Sequence, residues 1–213
     1  MGLYSGYDGK GLNHIETLYQ RGERELAMDF VRLLGCTPIP TGQVNETGST
    51  YICVHPDDDD RDGMNNVLYL SEIRPAQAAL EEQLRASIGK DTDLAGALSA
   101  YRHKAETLPY GIPHFGLRFP SFESIEPVLN ALEQCTNPAM TGRFQVQAIR
   151  PDDPAALSQD IIQAFVYTDI VACGLFSLGQ VIELQAQRRA SQWIDFDIRI
   201  PVAKQGIREC QNP

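Results

Sequence analysis

The chain has 213 residues, 43% of them apolar, and carries 28 acidic against 18 basic side chains, for a net charge of −10. That is enough for one domain or two small units sharing a core, and the acidity argues against a nucleic-acid partner and against anionic membrane surfaces. No apolar run approaches the roughly 20 residues of a membrane helix, no signal peptide opens the chain, and the five cysteines are scattered without CxxC spacing, so a reducing, cytoplasmic setting with thiols used as small core residues is expected.

In chain order, Gly11 to Tyr19 alternates as a strand does. Glu23 to Gly35 follows as a helix, with Leu26, Phe30, Leu33 and Leu34 on one stripe and Gly35 as its stop. Short strands fit Thr37 to Thr41, Thr50 to His55 and Val67 to Ile73, the last two separated by an acidic loop that includes Asp57 to Asp60. Pro75 to Ile88 and Asp91 to Thr107 read as helices polar on one side, together too long for a simple loop. They are expected outside the sheet or over a cavity mouth. The opening order then recurs: a strand from Pro113 to Phe119, then a helix capped by Ser121 with Ile125, Val128, Leu129 and Leu132 on its apolar face. Gly142 to Ile149, Ile161 to Asp169 and Gln180 to Gln187 supply three more strands, and Trp193 to Ile200 fits an additional one.

The repeat is the strongest feature. Leu12-Asn-His14-Ile-Glu16-Thr-Leu18 and Ile112-Pro-His114-Phe-Gly116-Leu-Arg118 each set one histidine in a strand ahead of an amphipathic helix. The expected fold is therefore α+β, with two tandem βαβββ units. Residues 1–74 form the first, 75–111 a helical linker, and 112–213 the second unit with a C-terminal extension. The two sheets would form one shared eight-stranded cleft, helices outside, where a small-molecule substrate would settle. The units could pair within one chain or across a homodimer.

Strand residues alternate faces. With Ile15, Thr17 and Tyr19 under the helix, His14, Glu16 and Leu18 face the cleft. With Phe115, Leu117 and Phe119 under theirs, His114, Gly116 and Arg118 do the same. Val67, Tyr69 and Ser71 turn inward from the fourth strand, and Val181, Glu183 and Gln185 from the last. The inward set thus holds two imidazoles and a carboxylate: His14, His114 and Glu183. Such a set can hold one divalent metal ion and leave positions open for a substrate that chelates through two neighbouring oxygens. The facial arrangement favours Fe(II); Mn²⁺, Ni²⁺, Zn²⁺ and Co²⁺ take the same ligands.

On these residues, and on the closing Gly179-Gln-Val-Ile-Glu183-Leu, the chain resembles the vicinal oxygen chelate superfamily, which includes glyoxalase I, fosfomycin-resistance proteins and extradiol ring-cleaving dioxygenases. The resemblance implies metal ligands from the first, fourth, fifth and last strands, hence at His14, Tyr69, His114 and Glu183. Tyr69 departs from the Glu or Gln usual there, and a phenol, mostly neutral at pH 7, is a poor substitute. Glu72 is a reserve ligand that a bulge would have to turn inward. A His-His-Glu set without the fourth ligand is similar to that of the ring-cleaving dioxygenases and of the fosfomycin-modifying transferases, the latter being usually short two-unit chains with little between the units, unlike this one. The activity this implies is Fe(II)-dependent oxidation of a small catechol-like or enolic substrate, with Tyr69 hydrogen-bonding a metal-bound oxygen. The alternatives are a redox-neutral glyoxalase-like isomerase or lyase, with Glu183 or Glu16 moving the proton, and a metal-free binding protein of the same fold.

Plainer readings stand beside these. The two histidines could be ordinary half-buried side chains, and Glu183 a salt-bridge partner of Arg118. Glu16 and Arg118 could pair across the cleft floor, or Arg118 could take an anionic substrate group bidentately. His55, at the end of the third strand, is either a nearby acid/base or a surface histidine. His103 and the Asp57 to Asp60 turn read as solvated, and Cys173 as a packing residue.

Overall fold

Both halves of the chain follow one topology. The structure is a computed structural model and describes residues 12–44, 48–61 and 65–188. The first half runs β1 (His14–Tyr19), α1 (Arg24–Leu33), β2 (Thr37–Val44), β3 (Thr50–His55) and β4 (Val67–Glu72). Two helices follow, α2 (Pro75–Ile88) and α3 (Thr92–Thr107). The second half runs β5 (His114–Phe119), α4 (Phe122–Glu133), β6 (Phe144–Ile149), β7 (Ile161–Thr168), the short β8 (Val171–Ala172) and β9 (Gln180–Gln187). In each half the opening strand lies parallel to the closing one, β1 beside β4 and β5 beside β9, and the other ladders are antiparallel. The registers match as well. His14 pairs with Val67 and Glu16 with Tyr69; His114 pairs with Val181 and Gly116 with Glu183. Tyr69 therefore occupies in the first sheet the place that Glu183 occupies in the second.

The two units each contribute a sheet, and the strand pairings do not by themselves establish the shared eight-stranded cleft expected. They build a five-stranded sheet, in the order β2-β3-β4-β1-β8, and a four-stranded sheet, β5-β9-β7-β6. The edge of β1 is taken at Leu18 and Tyr19 by β8, a strand of the second half that the sequence reading did not supply. The expected strand from Trp193 to Ile200 lies outside the described residues.

Local chemistry sets the helices. After Leu34, Gly35 adopts φ +83°, and the N–H groups of Gly35 and Cys36 return to the carbonyls of Arg32 and Val31, a Schellman closure that glycine permits without a Cβ penalty. Ser121 and Ser124 exchange side-chain and backbone bonds in a capping box that starts α4. The buried stripe of α1 is Ala27, Phe30, Val31 and Leu34 together with Met28. Leu26 and Leu33 of the expected stripe are only partly buried at its border. The shift arises because α1 serves both halves: Phe30 meets Phe144 of β6 at 5.7 Å. Ile125, Leu129 and Leu132 of α4 join the same core, as do Ile52, Leu68 and Leu70 of the first sheet and Ile162, Val166, Ile182 and Leu184 of the second.

Of the two placements expected for the linker, α3 takes the one over the concave face and beside the cavity there. The α3 residues Tyr101 and Ala105 pack with Ile149, Phe165 and Val181, which alternation places on the concave face of the second sheet. Those apolar side chains would otherwise be wet. Helix α2 buries Glu81 completely, and its carboxyl oxygens accept the backbone N–H groups of Phe176 and Ser177. Arg102 of α3 donates to the Ser177 carbonyl at 2.6 and 3.1 Å. Both helices thus hold the segment between β8 and β9. Among the described residues no helix is long and apolar enough to cross a membrane.

Candidate functional site

The second sheet brings two of the expected donors together. His114 opens β5 and Glu183 sits on neighbouring β9, and alternation turns both to the concave face. Their closest atoms, His114 Nε2 and Glu183 Oε2, are 3.4 Å apart, with side chains 28% and 16% exposed. The other imidazole nitrogen, Nδ1, lies 2.7 Å from the Ile112 carbonyl oxygen. A carbonyl only accepts, so Nδ1 carries the hydrogen, and in the neutral ring Nε2 presents a lone pair toward the carboxylate.

Glu183 is held from behind. Gln163 Nε2 donates to its Oε1 at 2.7 Å, Gln185 Nε2 lies 3.4 Å from the same oxygen, and Gln187 donates to Gln185 at 3.1 Å. The Tyr110 hydroxyl donates to Gln163 Oε1 at 3.4 Å, which fixes which way that amide points. Burial, and after it the charge of Glu183, push the Tyr110 phenol up. Phe165 presents its ring at 90° to His114 with centroids 6.1 Å apart, and meets Tyr110 edge to face at 5.4 Å. Beside His114 opens a cavity of about 440 Å³, lined by Ile15, Phe115, Tyr101, Leu175, Leu178 and Cys173 among others.

The remaining expected residues lie elsewhere. His14 packs on Tyr69, ring centroids 4.9 Å apart at 33°, and Tyr69 meets Tyr51 edge to face at 5.5 Å. Glu16 flanks Tyr69 on β1. Among the described residues no three His, Cys, Asp or Glu side chains come together in a group that could hold a metal ion; the duplicated strands present a pair and a separate imidazole. Neither expected ion pair of Arg118, with Glu16 or with Glu183, forms among the described residues, and Arg118 instead borders a cavity of about 550 Å³ with Asp57, Asp58 and Asn66. The β1–β4 ladder runs without a bulge, so Glu72 pairs with Tyr19 on the helix side, where burial, and after it the Glu72 charge, raise the Tyr19 phenol. His55 is 3% exposed rather than superficial, and among the described residues its Nδ1 has no hydrogen-bond partner. It lies near Asp58. Cys36 and Cys53 are buried as expected, but Cys173 is exposed.

Gln163, Tyr110, Phe165 and the Ile112 carbonyl are the participants that sequence reading did not supply. Alternation along β7 would have grouped Gln163 with Phe165 on one face. Only the β7–β9 register, Gln163 opposite Gln185 and Phe165 opposite Glu183, brings them to the carboxylate.

No family model matches the chain, and no curated protein matches it. Among solved structures, the crystal structure of a glyoxalase-related enzyme from Clostridium phytofermentans is similar over 85% of this chain and 99% of that one, at 9% identity and a TM-score of 0.37, a likeness too loose to carry an argument.

Proposed function

We propose that the chain is an enzyme of the vicinal-oxygen-chelate type, centred on His114 and Glu183 and acting on a small oxygen-bearing molecule. One contact supports the reading: His114 Nε2 and Glu183 Oε2 face each other across 3.4 Å, each group is fixed from behind by a hydrogen bond of its own, and in the neutral ring both atoms are acceptors that a proton on Nε2 or a metal ion would bridge. Such a contact is repulsive until a positive species enters it, and a histidine whose Nδ1–H is tied to a carbonyl is the usual form of a metal-binding imidazole.

The pair therefore fits a divalent cation, Fe(II) first and Mn²⁺, Ni²⁺ or Zn²⁺ next. His14 is the third donor in this proposal, and in the structure it stacks on Tyr69 instead. The metal would supply Lewis-acid polarisation to a substrate bound through adjacent oxygens. The protein's own contributions are distinct. Gln163 and Gln185 hold the carboxylate, Ile112 selects the His114 tautomer, and Phe165 sets the plane of the ring. Helix α3 shields the rest of the face, and the cavity lined by Ile15, Phe115 and Leu178 offers room for an apolar substrate body. At the finer level we propose Fe(II)-dependent ring cleavage of a catechol-like or enolic molecule, with a redox-neutral isomerase or lyase as the alternative. A metal-free binding protein is the second reading, favoured by the lack of a three-donor group among the described residues.

Metal analysis of the freshly purified protein tests the proposal. Stoichiometric metal in the wild type, lost in His114→Ala and Glu183→Ala and weakened in His14→Ala, supports it; metal-free protein that takes up none on reconstitution sinks it and leaves the binding reading. Oxygen uptake on a catechol panel after anaerobic Fe(II) loading, against turnover with Ni²⁺ or Zn²⁺ without oxygen, separates the two chemistries.

A further inference from the structure

A cavity of about 550 Å³ opens between the two halves of the chain. Leu34 and Cys36, at the end of α1, line it from the first half, and Leu117 and Phe119 of β5 line it from the second. Its wall also carries one unpaired cation and one unpaired anion. Among the described residues Arg118 makes no hydrogen bond or ion pair, whereas Arg102, Arg143 and Arg150 are each committed to a carbonyl or a carboxylate. Asp58 is met by Arg61 at 3.1 Å and by the Thr37 hydroxyl. The side chain of its neighbour Asp57 is engaged only by the Asp59 N–H, at 3.0 Å, among the described residues. Arg118 and Asp57 border the same cavity without meeting as an ion pair. In addition, β5 is the end strand of its sheet, so backbone groups on its outer edge, which runs along the cavity from Gly116 to Phe119, belong to no ladder.

A ligand with a carboxylate alone would meet Arg118 but be repelled by Asp57 and Asp58, and a ligand with an amine alone would face the reverse. A zwitterion answers both charges at once. The guanidinium can take a carboxylate through two parallel N–H···O bonds, and an ammonium can donate to the open oxygen of Asp57. The volume falls within the roughly 300–1,000 Å³ of small-molecule sites, and the apolar walls suit a hydrocarbon side chain. We propose that this cavity binds a small amino-acid-like zwitterion with an apolar body, its carboxylate on Arg118 and its ammonium on Asp57. Neither His114 nor Glu183 lines the cavity, so the site does not depend on the metal reading.

Amide-shift titration of the ¹⁵N-labelled protein at low ionic strength with L-leucine, L-methionine and L-phenylalanine tests this. At least one of the three is expected to saturate a single site, with shifts centred on Asp57 and on Gly116 to Phe119. It should bind about tenfold more tightly than its N-acetyl form, which lacks the ammonium, and than its methyl ester, which lacks the carboxylate. Arg118→Gln and Asp57→Asn should each weaken it by a similar factor, and Arg118→Lys, which keeps the charge without the fork, by less. Arg118→Gln strands no partner, and Asp57→Asn keeps an acceptor for the Asp59 N–H, so both variants should fold. His114→Ala should bind as the wild type does. No saturable binding by any of the three, equal binding of a blocked form, shifts centred elsewhere, or wild-type affinity in Arg118→Gln or Asp57→Asn would overturn the proposal.

Discussion

His114 Nε2 and Glu183 Oε2 stand 3.4 Å apart with no hydrogen between them when the imidazole is neutral, because its one hydrogen is committed to the Ile112 carbonyl. Long-range ¹H–¹⁵N correlation spectra of metal-stripped protein at alkaline pH should therefore find His114 as the Nδ1–H tautomer. Glu183→Gln can turn its amide N–H toward Nε2 and keep an oxygen for Gln163. We expect that variant to be as stable as the wild type, or more stable by about 0.5–1 kcal/mol, while losing metal binding; a trade of that sign marks a functional site. An Nε2–H tautomer, or a Gln variant destabilised by more than about 1 kcal/mol, contradicts the arrangement.

Glu81 poses a different problem, since its carboxyl group is fully buried and serves two backbone donors nearly a hundred residues away. Glu81→Ala strands both N–H groups and should cost about 2–4 kcal/mol in urea unfolding. Glu81→Gln keeps one acceptor and opposes the other donor with its own amide, for roughly half that loss. Hydrogen exchange at Phe176 and Ser177 should quicken in both variants. Unchanged protection would show that Arg102 alone holds the segment.

Cys173 reaches solvent, yet shielding of its thiol, and then the charge of Glu16, push its pKa up to about 11. The thiolate is the reactive form, so the raised pKa means slower alkylation at pH 8 and a rate that climbs until about pH 11. Weighing the smaller thiolate fraction against its greater intrinsic nucleophilicity gives a rate about 10- to 30-fold below a free cysteine. Glu16→Gln removes one of the two causes and should speed the reaction. Iodoacetamide labelling followed by peptide mass spectrometry reads this directly, and labelling at pH 8 as fast as that of glutathione would refute it.

Much of the architecture was legible because period and punctuation agreed. Alternation put His14, His114 and Glu183 on the faces opposite Tyr19, Leu117 and Leu184, and Gly35 and Ser121 marked helix ends that the structure closes with a Schellman motif and a capping box. Long-range pairing was illegible for a physical reason: alternation assigns a face, whereas register assigns neighbours. Nothing local to Gln163 announces that it will stand opposite Gln185. Nor does the two-residue β8 carry a periodic signal, although it covers the edge of β1 and ends the first sheet. For helix α3 the sequence left two placements open. Its apolar side is short, and its place over the second sheet follows from what Ile149, Phe165 and Val181 need covered.

Val171 and Ala172 belong by sequence to the second half, yet they complete the edge of the first half's sheet, and α1 of the first half lends Phe30 to β6 of the second. The duplication is therefore one of pattern and not of autonomy. A cut near residue 110 would leave each piece missing a surface that the other supplies, so the two repeats are expected to melt together, with coincident transitions by different probes.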